Sequence, residues 1–107
     1  MYKTRPQIKE IIEDYKQALN VLGINVERVI LYGSYALGNQ REGSDIDLAI
    51  VSADFQKMNL RERLEVLGMA AARIMQPIEA QGYAPKEMDT VLPSSFLKEI
   101  LEAGVSI

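Results

Sequence analysis

The chain has no cysteine and no histidine. Disulfides, thiolate metal sites, histidine-ligated zinc, histidine triads and a histidine general base are all excluded. Any catalysis has to run on carboxylates, hydroxyls, backbone amides, lysine and arginine. No apolar run approaches the roughly 20 residues that cross a bilayer. The opening residues, MYKTRPQIKE, lack the apolar stretch of a signal peptide. A cytoplasmic protein without a membrane partner is therefore expected. A basic stripe is also missing: 12 lysines and arginines face 15 acids, for a net charge of −3. The basic residues are scattered singly, which argues against sequence-independent nucleic-acid binding. The same balance does not argue against a nucleoside triphosphate, because a metal site brings its own positive charge.

What is present suffices for one core. The 107 residues are 48% apolar, and a single domain spanning residues 1–107 is expected. The stretch around which the rest is arranged is residues 31–51, LYGSYALGNQREGSDIDLAIV. It begins with the end of a strand, breaks at Gly33-Ser34, makes a short polar excursion and returns as a second strand with Asp45 and Asp47 near its start. Side chains alternate along a strand, so the two aspartates share one face, while Ile46, Leu48 and Ile50 face a core. Two carboxylates about 6 Å apart repel by roughly 2–3 kcal/mol at an effective dielectric near 20. A cation between them relieves that cost, and all-oxygen ligation suits Mg²⁺ or Mn²⁺. Gly33 allows a tight turn and the close approach of a ligand. Ser34 is expected as the N-cap of a short helix through Tyr35, Ala36 and Leu37, whose free amides make an anion site. Taken separately, Gly-Ser after a strand is a common turn and Asp-x-Asp at a strand start can be solvated decoration. At this spacing and in strand–turn–strand order, the pair reads as a phosphate cradle joined to a metal-binding carboxylate pair, the equipment for moving a nucleotidyl group.

The remaining chain supplies helices and one more strand. Pro6 near a helix start, then Ile8, Ile11, Ile12, Tyr15, Leu19 and Leu22 at helical spacing, predict an amphipathic helix ending at Gly23. Strands are predicted over 26–32 and 45–51, and the short connection between them favours antiparallel pairing. Asn59 is the expected N-cap of a long helix with Leu60, Leu64, Leu67, Ala71 and Ile74 in register. Val66, Met69 and Met75 broaden its apolar surface. Burial between the sheet and the C-terminus is the expectation, and contact with a partner protein is the alternative. Residues 77–84 predict a third strand, with Ile78, Ala80, Gly82 and Ala84 on one face and Glu79, Gln81 and Tyr83 on the other. Ser94 or Ser95 should cap a last helix ending at Gly104, and residues 105–107 could add a short edge strand. The fold class is α/β (α+β), a small mixed sheet with helices packed against it.

Gly33-Ser34, ten residues, then Asp45-Ile46-Asp47 resembles the signature of the DNA polymerase beta-like nucleotidyltransferase superfamily. The fuller pattern, Gly-Ser-Tyr-Ala-x-Gly followed by Ser-Asp-Ile-Asp-Leu, is similar to the minimal nucleotidyltransferases, the MNT family. The resemblance implies the polymerase beta-like fold, ATP as nucleotide donor, and Mg²⁺ or Mn²⁺ held by Asp45 and Asp47. It also implies a third carboxylate on a later strand. Glu79, the one acid inside residues 77–84 and on the polar face, takes that role. Gly33 and Ser34 would hold phosphates. Leu37 stands where many members carry arginine, and Arg41, nearby, is the candidate to replace it. The resemblance further implies an adenylyltransferase acting on a hydroxyl, a tyrosine of a HEPN-domain toxin, and so a type VII-like antitoxin. Three alternatives stay open at this point: an antitoxin that works by binding alone, a transferase acting on a small molecule, and a modifier of nucleic-acid ends. Self-association is also left open.

Overall fold

The first helix is set at both ends by local chemistry. In the computed structural model, which describes residues 3–38, 43–89 and 96–107, helix α1 spans Arg5–Val21. Thr4 and Gln7 exchange side-chain bonds with each other's backbone amide, a capping box that satisfies two donors at once. At the other end the Ile24 amide bonds the Leu19 carbonyl at 2.9 Å and Gly23 bonds Asn20 at 3.0 Å, closing the helix as expected.

Strand β1, Arg28–Tyr32, runs antiparallel to β2, Ile46–Val51. Both begin slightly later than the sequence predicts, β1 after Glu27 and β2 after Asp45. Between them lies helix α2, Ser34–Leu37. A 3₁₀ turn over Ala53–Lys57 leads to helix α3, Leu60–Ile74, which opens with the expected Asn59 cap in a second capping box with Glu62. Strand β3, Ile78–Tyr83, then lies parallel to β2. A short helix α4, Pro85–Asp89, follows, then helix α5, Phe96–Ala103, and strand β4, Val105–Ser106, antiparallel to β1. The expected Ser94 or Ser95 cap lies outside the described residues. The sheet order is β3-β2-β1-β4, the mixed sheet with helices that the sequence predicts.

Strand alternation divides the sheet into two faces. Val29, Leu31, Ile46, Leu48, Ile50 and Ala80 turn to the larger core, where α1 and α3 cover them. Tyr15 of α1 is fully buried and its hydroxyl donates to the Leu67 carbonyl of α3 at 2.8 Å. That bond, worth about 1 kcal/mol net, ties the two helices over the sheet. On the opposite face Ile30 and Ala49 pack with Ile100 of α5, joined by Tyr32, Tyr83, Met88 and Leu101.

The orientation of α3 departs from expectation. Leu67, Ala70 and Ala71 face inward and Val66 and Ile74 pack partly against the core. Leu60 (66% exposed), Leu64, Met69 and Met75 are exposed. The helix packs between α1 and β3, and the C-terminal helix lies on the other side of the sheet. Two alanines let α3 sit close to β3, which rotates the leucines at its start outward. Arg63 is the reason this rotation holds. Its guanidinium turns inward, 13% exposed, bonding the carbonyls of Phe55, Met58 and Gly82 at 2.7, 3.1 and 3.2 Å and Glu87 at 2.6 Å. It also lies over the Phe55 ring, 5.8 Å from the centroid. Gly82 accepts the same ring, which a Cβ there would meet at 3.0 Å.

No helix among the described residues is long and apolar enough to cross a membrane. Met75, the C-cap of α3, adopts φ +56° with an 88% exposed side chain. A left-handed methionine is strained, and its side chain packs on little. Met75→Gly should therefore raise stability by about 0.5–1 kcal/mol, seen as a higher urea midpoint at unchanged slope. A lower midpoint would show that the strain is offset elsewhere.

Candidate active site

The end of β1 and the start of β2 meet where the chain turns. Gly33 has φ +72° and ψ −152°, a conformation closed to residues with a side chain. A Cβ built there would collide with Asp47, meeting its carboxylate oxygen and coming within 3.0 Å of its Cγ. The turn and the carboxylate are thus in direct contact. The structure makes Gly33 the N-cap of α2 and Ser34 its first residue, with no side-chain cap bond, rather than the serine cap predicted. Glycine takes the cap because only it can enter the helix from this backbone angle. The Gly33 carbonyl accepts from Ala36 and Leu37 at 3.1 Å each. The amides of Ser34 and Tyr35, ahead of the first turn's bonds, have no carbonyl of the helix to reach. Tyr35 is buried, and its hydroxyl accepts from the Lys3 amide at 3.2 Å, anchoring α2 to the N-terminal segment.

Asp47 stands on β2 directly opposite Tyr32 of β1 and level with Glu79 of β3. The phase predicted for β2 and β3 therefore holds, and Asp47 and Glu79 share a face. Asp45 is exposed just before β2, Asp47 is half-buried and Glu79 is exposed. Burial first, then the charges of Glu79 and Asp45, push the Asp47 carboxyl above its usual range. The Tyr32 hydroxyl is raised well above its usual value by burial, then by Asp47, Tyr83 and Glu79. Negative charge is therefore concentrated where β2 and β3 meet. Among the described residues no three acidic side chains close into a ready metal cluster.

Arg41 lies outside the described residues. Leu37, at the arginine position of the resemblance, is exposed on α2. Glu87 and Asp89 fall on α4; Glu87 accepts from Arg63 and from the Ala84 amide at 2.7 Å. Sequence reasoning missed Tyr32 as part of the charged face. Its signal is position: it is the last strand residue before Gly33, in phase with Asp47 across the hairpin. The inward Arg63 was missed as well, although it lies one helical turn before Leu67.

The chain matches the Nucleotidyltransferase domain family over residues 5–103. It belongs to that family. One relative from Methanocaldococcus jannaschii, described as "Putative protein adenylyltransferase", is 28% identical over 102 residues, covering 94% of this chain and 99% of its own. A second from the same archaeon with the same description is 37% identical over 65 residues, covering 61% of this chain and 64% of its own. The fold is shared with two solved structures. One, described as a "putative nucleotidyltransferase" from Sulfolobus solfataricus, has TM-score 0.54 and 22% identity over 99% of this chain and 89% of that one. The other is a chain of a toxin–antitoxin structure with AMP-PNP, TM-score 0.60 and 21% identity, covering 88% of this chain and 69% of that one. The nucleotidyltransferase reading and the polymerase beta-like fold of the sequence stand.

Two carboxylates here should give opposite pH signatures. Asp47 binds protons more readily folded than unfolded, so its ionisation destabilises the fold as pH rises from its usual value of 3.8 through its raised one. Asp47→Asn should remove that loss and hold or raise stability at neutral pH. Glu87 is the reverse: the Arg63 bond lowers it below 4.5, so its stabilisation is full above that value and lost as pH falls through the lowered one. Glu87→Gln should be less stable than wild type at neutral pH, with the gap closing in acid. Denaturant melts across pH 3–7 check both signs, and parallel curves for either variant would refute that assignment.

Proposed function

We propose that this nucleotidyltransferase moves AMP from ATP to a hydroxyl of a partner protein, a tyrosine of a HEPN-domain toxin, and so acts as an antitoxin. The observation that carries the reading is the contact of the Gly33 turn with Asp47. A phosphate cradle and an acidic pair that touch each other have one common ligand, a metal-bound nucleotide. Support for the protein acceptor comes from the relatives described as protein adenylyltransferases and from the fold shared with a toxin–antitoxin chain. The described helices and strands are spent on one sheet and its cover, with no second substrate domain among them.

The donor set fits a hard divalent cation. Asp45, Asp47 and Glu79 offer only oxygen, and the raised Asp47 carboxyl marks the charge that such an ion would relieve. Bound there, Mg²⁺ or Mn²⁺ would neutralise phosphate charge and ease the departure of pyrophosphate. The chain's own groups do the rest. The amides and hydroxyl at Ser34 hold the β and γ phosphates, with Gly33 clearing the approach. The acceptor oxygen bonds to the α-phosphorus while the bond from that phosphorus to the β-bridging oxygen breaks, and pyrophosphate leaves. The hydroxyl proton departs towards Glu79, whose exposure leaves it open to an incoming group.

ATP with Mg²⁺ should raise the melting temperature more than either alone, because ligands bound only to the folded state stabilise it by mass action. Intact-mass spectrometry of a HEPN-domain partner should show added AMP after incubation with wild type, ATP and Mg²⁺, and none with Asp45→Asn/Asp47→Asn. A fully active double variant would sink the assignment. Neutralisation of the toxin by that variant, without added mass from wild type, would instead favour an antitoxin that works by binding. Glu79→Gln should cost far more activity than Glu87→Gln or Asp89→Asn, on the order of a hundredfold for loss of a proton acceptor. Equal losses would move the third carboxylate elsewhere.

A further inference from the structure

The strand order gives the reaction a direction. Donor phosphates belong at Gly33 and Ser34, on the β1 side of Asp47, whereas Glu79 stands on β3, on its other side. Attacking and leaving oxygens lie roughly in line, so the acceptor hydroxyl enters over the β3 flank. That flank is a sheet edge, with no strand paired to its outer side among the described residues. The carbonyls of Pro77 and Tyr83 accept from Ile46 and Ser52 at 2.8 and 3.0 Å. This fixes the phase: odd-numbered residues turn their backbone groups to β2, and Ile78, Ala80 and Gly82 turn theirs outward. The Gln76 carbonyl takes the Ile78 amide and Arg63 takes the Gly82 carbonyl. The Ile78 carbonyl, both Ala80 groups and the Gly82 amide remain on the outer side.

Edges of this kind are commonly blunted by lysine, proline or a bulge. Here β3 reads IEAQGY, and Glu79 is its one charge.

On the transferase reading above, we infer that the β3 edge captures the acceptor as an extended segment, added as a further strand, with its tyrosine on the face of Glu79. Side-chain alternation sets this placement. The residue sharing the face of Glu79 points to the carboxylates, and its two neighbours point to the α3 side. Neighbouring strands lie about 4.8 Å apart, so Asp47 on β2 is two spacings, about 10 Å, from the added strand. A tyrosine side chain reaches over β3 in that direction, and a serine or threonine does not. The phenol oxygen bonds to the α-phosphorus of ATP, pyrophosphate leaves, and the phenol proton departs towards Glu79.

Three synthetic peptides test the inference with the intact chain, ATP and Mg²⁺. The first has a central tyrosine between valines. The second is N-methylated at the backbone amides that would pair with the edge, and the third has serine for tyrosine. AMP should be added to the first at least about tenfold faster than to the other two, as expected for losing one or two hydrogen bonds. Equal rates with the N-methylated peptide overturn strand addition, and equal rates with the serine peptide overturn the placement of the tyrosine. Absence of AMP on every peptide, with stabilisation by ATP and Mg²⁺ intact, overturns the inference alone. Absence of that stabilisation overturns the transferase reading itself.

Discussion

The contact between a residue without a side chain and a carboxylate organises this molecule. Gly33 brings the backbone against Asp47 at a point where any Cβ would displace the acid. Everything that fixes the contact lies further back in the chain. The β1–β2 register sets Tyr32 against Asp47, so the strand ends where the acid stands. The core under that hairpin, from Leu31 and Leu48 to Ile8 and Ile12, keeps the register from slipping. A slip of one residue would send Asp47 into the core and Leu48 to the site.

The sheet faces divide the labour between stability and chemistry. The face under α1 and α3 is apolar along its length. The opposite face is apolar where α5 lies, around Ile30, Ala49 and Ile100, and charged at the end that α5 leaves open. Tyr32 belongs to both regions, packed against the smaller cluster while its hydroxyl feels Asp47 and Glu79. The Asp47 carboxyl is half-buried beside like charges, an arrangement that costs folding free energy and is relieved by a cation. Proteins commonly carry such local conflict at functional sites.

Much of this was legible because the sequence carries it locally. The Asn59 cap, the phase of Asp47 on β2, and the placement of Glu79 on the polar face of β3 all follow from spacing alone. Rotation of α3 did not, because its apolar residues form two overlapping stripes. Leu60 and Leu64 belong to one and Leu67, Ala70 and Ala71 to the other, and periodicity does not choose between them. Packing does: alanines permit the closer approach, and Arg63 finds three carbonyls and a carboxylate only with the second stripe inward. Ser34 as a cap failed for a related reason. Serine's preference for that position is real, but the left-handed backbone needed beside Asp47 is open to glycine alone.

The parallel pairing of β2 with β3 has a consequence in time. Asp47 and Glu79 are neighbours across one strand spacing but are separated by the whole of α3, and such a link forms only after a long loop has closed. The hairpin that holds Gly33, Asp45 and Asp47 is local and can form early. Glu79 joins it only when α3 has docked and β3 has found its edge. Completion of the charged face therefore waits on the long-range pairing of β3 with β2.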